Sequence, residues 1–175
     1  MQKQIVFLTS LLLAFTVLAA CQDKKPLSPP AQAQCKFSDG KTLTINYSSP
    51  RAKGRKIFGD LVPYGQVWRT GANNATTFVS DANLTVGGKD IPAGSYTIFT
   101  VPNADKWTLI INKKTGEWGI PYKYEADELA RVDMKVSSTS APVENFTIAL
   151  ASMGGSCTLN ISWENTQASV SIGEK

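Results

Sequence analysis

The chain has 175 residues, with 18 Lys+Arg against 14 Asp+Glu, and no histidine. Without an imidazole it has no Ser-His-Asp or Cys-His nucleophile system, no HExxH zinc site and no imidazole proton shuttle near neutrality. Three cysteines are too few for an all-cysteine zinc site, so neither a metal nor another cofactor is expected. The length fits one ordinary domain, and 42% hydrophobic residues are enough for a core.

Residues 1–20 have one lysine, Lys3, followed by an apolar run from Ile5 to Val17 and then Leu18-Ala19-Ala20 ahead of Cys21. This is the plan of a secretory signal, too short for a comfortable permanent span. Leu18-Ala19-Ala20-Cys21 resembles the lipobox of bacterial lipoproteins, which implies cleavage before Cys21 and acylation of its thiol. Several acyl chains at about 0.8 kcal/mol per buried methylene would anchor the chain stably to a membrane. Gln22 stands where aspartate would favour inner-membrane retention, so the expected address is the outer membrane facing the periplasm. The cell surface and the inner membrane are the alternatives. Residues 21–34 hold Pro26, Pro29 and Pro30 among polar residues and read as a lipid-bearing flexible tether. The folded domain is expected over 35–175.

Loss of Lys3 leaves 17 basic and 14 acidic residues, a formal +3. So weak an excess on an exported chain is ordinary solubility, and no nucleic-acid motif accompanies it. With Cys21 assigned to lipid, Cys35 and Cys157 are left as a pair in an oxidising compartment and are expected to form a disulfide.

From Cys21 onward, nine valines, ten isoleucines and fourteen threonines outnumber eight leucines. That excess of β-branched residues favours strands. Period-2 alternation is clearest at Cys157, Leu159, Ile161 and Trp163, and recurs over 42–47 and 145–150. Further strands are predicted at 76–80, 83–86, 96–101, 107–112, 131–136 and 168–172. Turns at Val86-Gly87-Gly88-Lys89 and Ile91-Pro92-Ala93-Gly94 separate some of them. Only Tyr124–Ala130 offers a turn or two of helix. The expected fold is all-β: a single antiparallel β-sandwich, jelly-roll or Greek-key like, of about nine short strands.

Residues 49–77 break the strand rhythm. Arg51, Lys53, Arg55, Lys56 and Arg69 lie here beside a single acid, Asp60, and they include three of the four arginines in the chain. Planar guanidinium forks in a Gly/Pro-shaped loop suit carboxylate or phosphate, and Tyr47, Tyr64 and Trp68 could line such a site. Arg51, Arg55, Tyr64, Trp68, Arg69, Asn73 and Trp118 are the candidate ligand-binding residues. Trp107 and Trp163 share faces with aliphatic strand residues and read as core, whereas Trp118 sits between Gly116 and Gly119 and reads as free for contact.

Pro50-Arg51-x-Lys53-Gly54-Arg55, Val67-Trp68-Arg69-Thr70-Gly71-Ala72-Asn73, Ile91-Pro92-Ala93-Gly94-x-Tyr96 and Trp107-x-Leu109-Ile110-Ile111-Asn112 resemble the bacterial family known as domain of unknown function 2911. The resemblance extends over roughly residues 43–173. It implies an exported, mainly β domain, often on lipoproteins, and brings no established activity or catalytic residues.

Three functions follow as expectations. The first is a non-catalytic binding module for an anionic small molecule, an envelope glycan or a partner protein, acting through residues 49–74. The second is an envelope scaffold whose Arg51, Arg55 and Arg69 brace backbone carbonyls. The third is a histidine-free hydrolase built on carboxylates such as Asp60, Asp81, Glu117, Asp127 and Glu128.

Overall fold

The computed structural model describes residues 26–175. The signal segment, Cys21 and the first residues of the expected tether lie outside the described residues. Nine strands follow in chain order: β1 (Pro30–Lys36), β2 (Thr42–Ser48), β3 (Thr76–Ser80), β4 (Leu84–Val86), β5 (Lys89–Ile91), β6 (Gly94–Val101), β7 (Lys106–Asn112), β8 (Glu128–Met153) and β9 (Ser156–Glu174). The expected helical turn is a single 3-10 turn, Glu125–Asp127.

The all-β class and the strand number hold among the described residues. The strands form one hydrogen-bonded antiparallel sheet, in the order β1-β2-β3-β6-β7-β8-β9-β4-β5. This continuity comes from β8 and β9, each of which joins two segments that the sequence pattern separates. In β9 the buried side chains fall on Cys157, Leu159, Ile161 and Trp163, then on Ala168, Val170 and Ile172. The pattern changes from odd to even positions across Glu164, which has φ 53°. Register shifts in β8 between Ser138 and Val143, and between Val143 and Thr147, lie opposite this break. Such irregularities bend and twist a ladder without ending it.

The sheet curls so that β1 and β2 return toward the far halves of β8 and β9. The Tyr47 hydroxyl donates to the Ile148 carbonyl, and the disulfide Cys35–Cys157 joins β1 to β9 with a Cα–Cα distance of 6.4 Å. Closing a separation of 122 residues stabilises the fold by up to about 5 kcal/mol in the chain-entropy picture. Residues 30–34 belong to the folded domain rather than to the expected 21–34 tether, because pairing starts at Pro30, which faces Ser48. Residues 30–34 are mostly alanine and glutamine, so this edge strand shows little hydrophobic alternation; backbone pairing with β2 and the buried Ala33 and Cys35 hold it.

The core gathers Leu43, Ile45, Phe78, Ile98, Leu109 and Ile161, all fully buried. Beside them lies a ring cluster. Phe58 and Trp107 have centroids 4.8 Å apart, Trp68 and Phe146 are 5.1 Å apart, and Trp68 stacks on Trp163 at 6.0 Å. Each such pair adds roughly 0.5–1.5 kcal/mol beyond the area it buries. Trp107 and Trp163 are core residues, as expected.

Candidate functional site

The excursion between β2 and β3 crosses the aromatic cluster and is fastened to three strands. Its first contact is with β8: Arg51 bridges Asn145, the Ala52 N–H donates to the Glu144 carbonyl, and the Ser49 hydroxyl donates to the Phe146 carbonyl. Two carboxylates then accept backbone donors from the loop. Glu144 Oε1 takes the Lys53 N–H at 2.9 Å, and Glu164 Oε2 takes the Ile57 N–H at 3.0 Å. The last contact is with β6, where Trp68 and Thr100 exchange both backbone hydrogen bonds. The Trp68 indole N–H donates to the Gly71 carbonyl, and the buried Thr70 hydroxyl meets that of Thr100 at 3.1 Å.

Between this loop and the 118–120 segment lies a cavity of about 640 Å³, within the range of small-molecule sites. Its polar wall carries Arg51, Lys53, Arg55, Arg69 and Gln66, and its apolar wall includes Trp68, Trp163, Val67 and Pro50. No acidic side chain among the described residues lines it. None of its four cations forms an ion pair within the described part of the chain. Burial holds the Arg69 guanidinium below the ordinary arginine value, because a charge in a partly desolvated wall lacks water on one side.

The seven candidate ligand-binding residues divide. Arg51, Arg55, Trp68 and Arg69 line the cavity. Trp118 stands outside it, 56% exposed, with its ring centroid 4.8 Å from the Arg69 guanidinium carbon. Gly119 makes this approach possible: at φ 92°, a Cβ there would lie 2.9 Å from Ala75 Cβ and 3.2 Å from Arg69 Cβ. Tyr64 is exposed and is not part of the lining. Asn73 is not part of the lining either; it has φ 58°, and its amide donates to the Ser28 carbonyl and the Ser48 hydroxyl.

Two of the arginines also brace the loop. Arg51 Nη1 donates to the carbonyl and hydroxyl of Ser49, while Arg55 donates from Nε to the Ala52 carbonyl and from Nη2 to the Arg51 carbonyl. Among the described residues the Arg69 guanidinium makes one long hydrogen bond, 3.4 Å from Nη1 to the Trp118 carbonyl, beside its contact with the Trp118 ring.

The carboxylates expected for a hydrolase lie elsewhere. Asp81 accepts from Thr42, Glu117 accepts from Tyr124, and Glu128 joins Arg131 and Tyr122. Asp60 is exposed in the loop and Asp127 closes the 3-10 turn. Glu144 and Glu164 share a smaller groove of about 280 Å³ with Arg55, but each already accepts a backbone N–H. No cluster of three metal-ligating side chains occurs among the described residues.

Sequence reasoning missed Glu144 and Glu164 as loop anchors, and Leu27, Ser28 and Ile120 as cavity walls. Leu27 carried a signal, being the one large apolar side chain in the polar stretch 22–34.

No curated protein and no solved structure matches the chain. A family model described as protein of unknown function (DUF2911) matches residues 28–172, nearly the whole described domain, including the loop, the disulfide and every cavity-lining residue but Leu27. The chain belongs to the DUF2911 family.

Proposed function

We propose that the domain is a binding module for an anionic ligand that also carries an apolar or aromatic part, and that the cavity under residues 49–74 is its site. The observation that carries this reading is the composition of the wall: four cations and no acid, set beside Trp68 and Trp163. Guanidinium forks would take a carboxylate or phosphate, and the half-buried Trp68 and Val67, backed by the buried Trp163, would take the apolar part. The bonds of Arg51 and Arg55 to their own loop support an additional bracing role for those two residues. Arg69 and Lys53 keep more of their hydrogen-bonding capacity for a ligand.

The proposed address is the cell envelope, with Cys21 acylated and the domain exported. The disulfide between Cys35 and Cys157 supports an oxidising compartment. A thermal-shift screen of carboxylates, sugar phosphates and anionic glycans on the chain lacking Cys21 tests the binding reading, since a ligand selective for the folded state raises the melting temperature. A flat response across all anions would remove it. Mass spectrometry of the membrane fraction tests the anchor: an unmodified thiol at Cys21 would contradict it.

A further inference from the structure

Of the six large hydrophobic side chains exposed among the described residues, Tyr64 lies outside the cavity lining and Met153 sits at the β8–β9 turn, but the other four gather at one place. Leu27, Leu61 and Ile120 are 79%, 45% and 40% exposed, and all three form part of the cavity wall. Trp118, at 56%, lies against Arg69 beside them. Isolated exposed apolar side chains are ordinary, but a group of them around one cationic mouth marks an interaction face. Aliphatic and indole groups next to lysine and arginine suit the boundary of an anionic bilayer, where rings sit at headgroup level and cations near the surface are attracted to the lipid charge.

The attachment point of the chain adds a second constraint. Leu27 follows Cys21 by six residues, which span at most about 20 Å when fully extended. An acylated Cys21 would hold the cavity mouth within that distance of the lipid surface.

We infer that this face docks on the membrane and that the cavity receives the phosphate headgroup of an anionic phospholipid, with Trp118, Leu61 and Ile120 entering the interface around it. The inference rests on the anion-binding reading and names its ligand class. The tether keeps the domain beside the bilayer, and the cationic wall selects anionic lipid within it. Lys53 is the cleanest probe of that selection, because its side chain lines the mouth and is exposed, with no ion pair among the described residues.

The test reconstitutes the mature full-length chain into vesicles of phosphatidylcholine alone, or of phosphatidylcholine with phosphatidylglycerol, each carrying brominated acyl chains that quench nearby tryptophan. Expected is markedly stronger quenching in the phosphatidylglycerol vesicles. Trp118→Phe should abolish the difference, and Lys53→Glu should reduce it several-fold, whereas Lys89→Glu, on the distant β4–β5 hairpin, should leave it unchanged. Equal quenching in the two vesicle types, or a difference insensitive to both Trp118→Phe and Lys53→Glu, overturns the inference. A parallel melting series with glycerol 3-phosphate separates membrane docking from anion binding. Stabilisation by the soluble phosphate without lipid-dependent quenching removes the membrane ligand and keeps the anion site; absence of both responses removes both.

Discussion

Glu164 and Ile57 lie 107 residues apart in sequence, yet the Glu164 carboxylate accepts the Ile57 backbone N–H at 3.0 Å. Ile57 is fully buried, so this donor has no water to replace the carboxylate if it is lost. Glu164 holds this position at φ 53°, a conformation that costs an ordinary residue roughly 1–2 kcal/mol. Three variants separate the two effects. Glu164→Gln keeps an acceptor and should cost least. Glu164→Gly loses the acceptor but relieves the backbone. Glu164→Ala loses the acceptor and keeps the unfavourable φ, and should cost about 1–3 kcal/mol. Denaturant unfolding of the three should rank them in that order; an alanine variant as stable as the glutamine one would show that the bond does not hold the loop.

The β4–β5 hairpin offers a contrast between neighbouring glycines. Gly87 and Gly88 have φ 51° and 84°, as a two-residue turn with both central residues left-handed requires. A Cβ at Gly87 would lie 2.2 Å from Val132 Cγ1, whereas one at Gly88 meets nothing within 4 Å. Gly88→Ala should therefore cost only the backbone penalty, about 1 kcal/mol, and Gly87→Ala should add about 1–3 kcal/mol of overpacking. Equal melting temperatures for the two variants would mean that Val132 moves aside freely.

The strands were legible in the sequence where one face is buried and the other wet. Cys157, Leu159, Ile161 and Trp163 announce β9 because burial alternates with exposure at the period of a strand. What stayed hidden is continuity across Glu164, since a change of phase reads as a turn when the pairing partner is unknown. A strand was expected around Cys35, but its start at Pro30 was hidden because Ala31 and Ala33 are small and the pairing with β2 is carried by backbone bonds. At the site, charge and ring content pointed to the loop, and Arg51, Arg55, Trp68 and Arg69 do line one cavity. Asn73 and Tyr64 fell outside that lining because proximity in sequence does not set the direction of a side chain in an irregular loop. Ile120 entered from a segment about 50 residues away, which no local pattern reports.

Acid stability should depend measurably on Glu128. Its carboxylate is held below the ordinary glutamate value of 4.5 by the bidentate bond from Arg131, opposed by burial and assisted by the Tyr122 hydroxyl. Above pH 4.5 the carboxylate is ionised in both folded and unfolded chains, and its contribution to stability is complete. As pH falls below that value the unfolded chain takes up the proton first, so stability declines; below the depressed folded pKa the contribution is gone. Asp39 and Asp90 are depressed in the same sense by Lys41 and Lys175, so the acid limb has several sources. Glu128→Gln should lower the melting temperature near neutral pH and flatten the acid limb in part. A wild-type and variant pair that lose stability in parallel from pH 6 to pH 3 would contradict this assignment.

Brace and ligand wall can be separated within the loop, because Lys53 and Arg55 carry the same charge in different bonding. Arg55 donates from two guanidinium nitrogens to the Ala52 and Arg51 carbonyls, whereas Lys53 is held to the Glu144 carboxylate of β8 through its backbone N–H, not its ammonium. Removing the Arg55 fork leaves the Ala52 carbonyl with the Arg55 backbone N–H alone and takes the side-chain donor from the Arg51 carbonyl, so Arg55→Gln should cost about 1 kcal/mol of stability whether or not an anion is present. Lys53→Gln removes only an exposed charge, and its stability should stay within about 0.5 kcal/mol of wild type. Anion affinity should fall for both, because each contributes a positive charge to a wall that holds no acid. Melting curves recorded with and without phosphate resolve the two effects. Unchanged affinity in Lys53→Gln would mean that the mouth of the cavity does not attract the ligand. An Arg55→Gln variant as stable as wild type would mean that the guanidinium is a site residue rather than a brace.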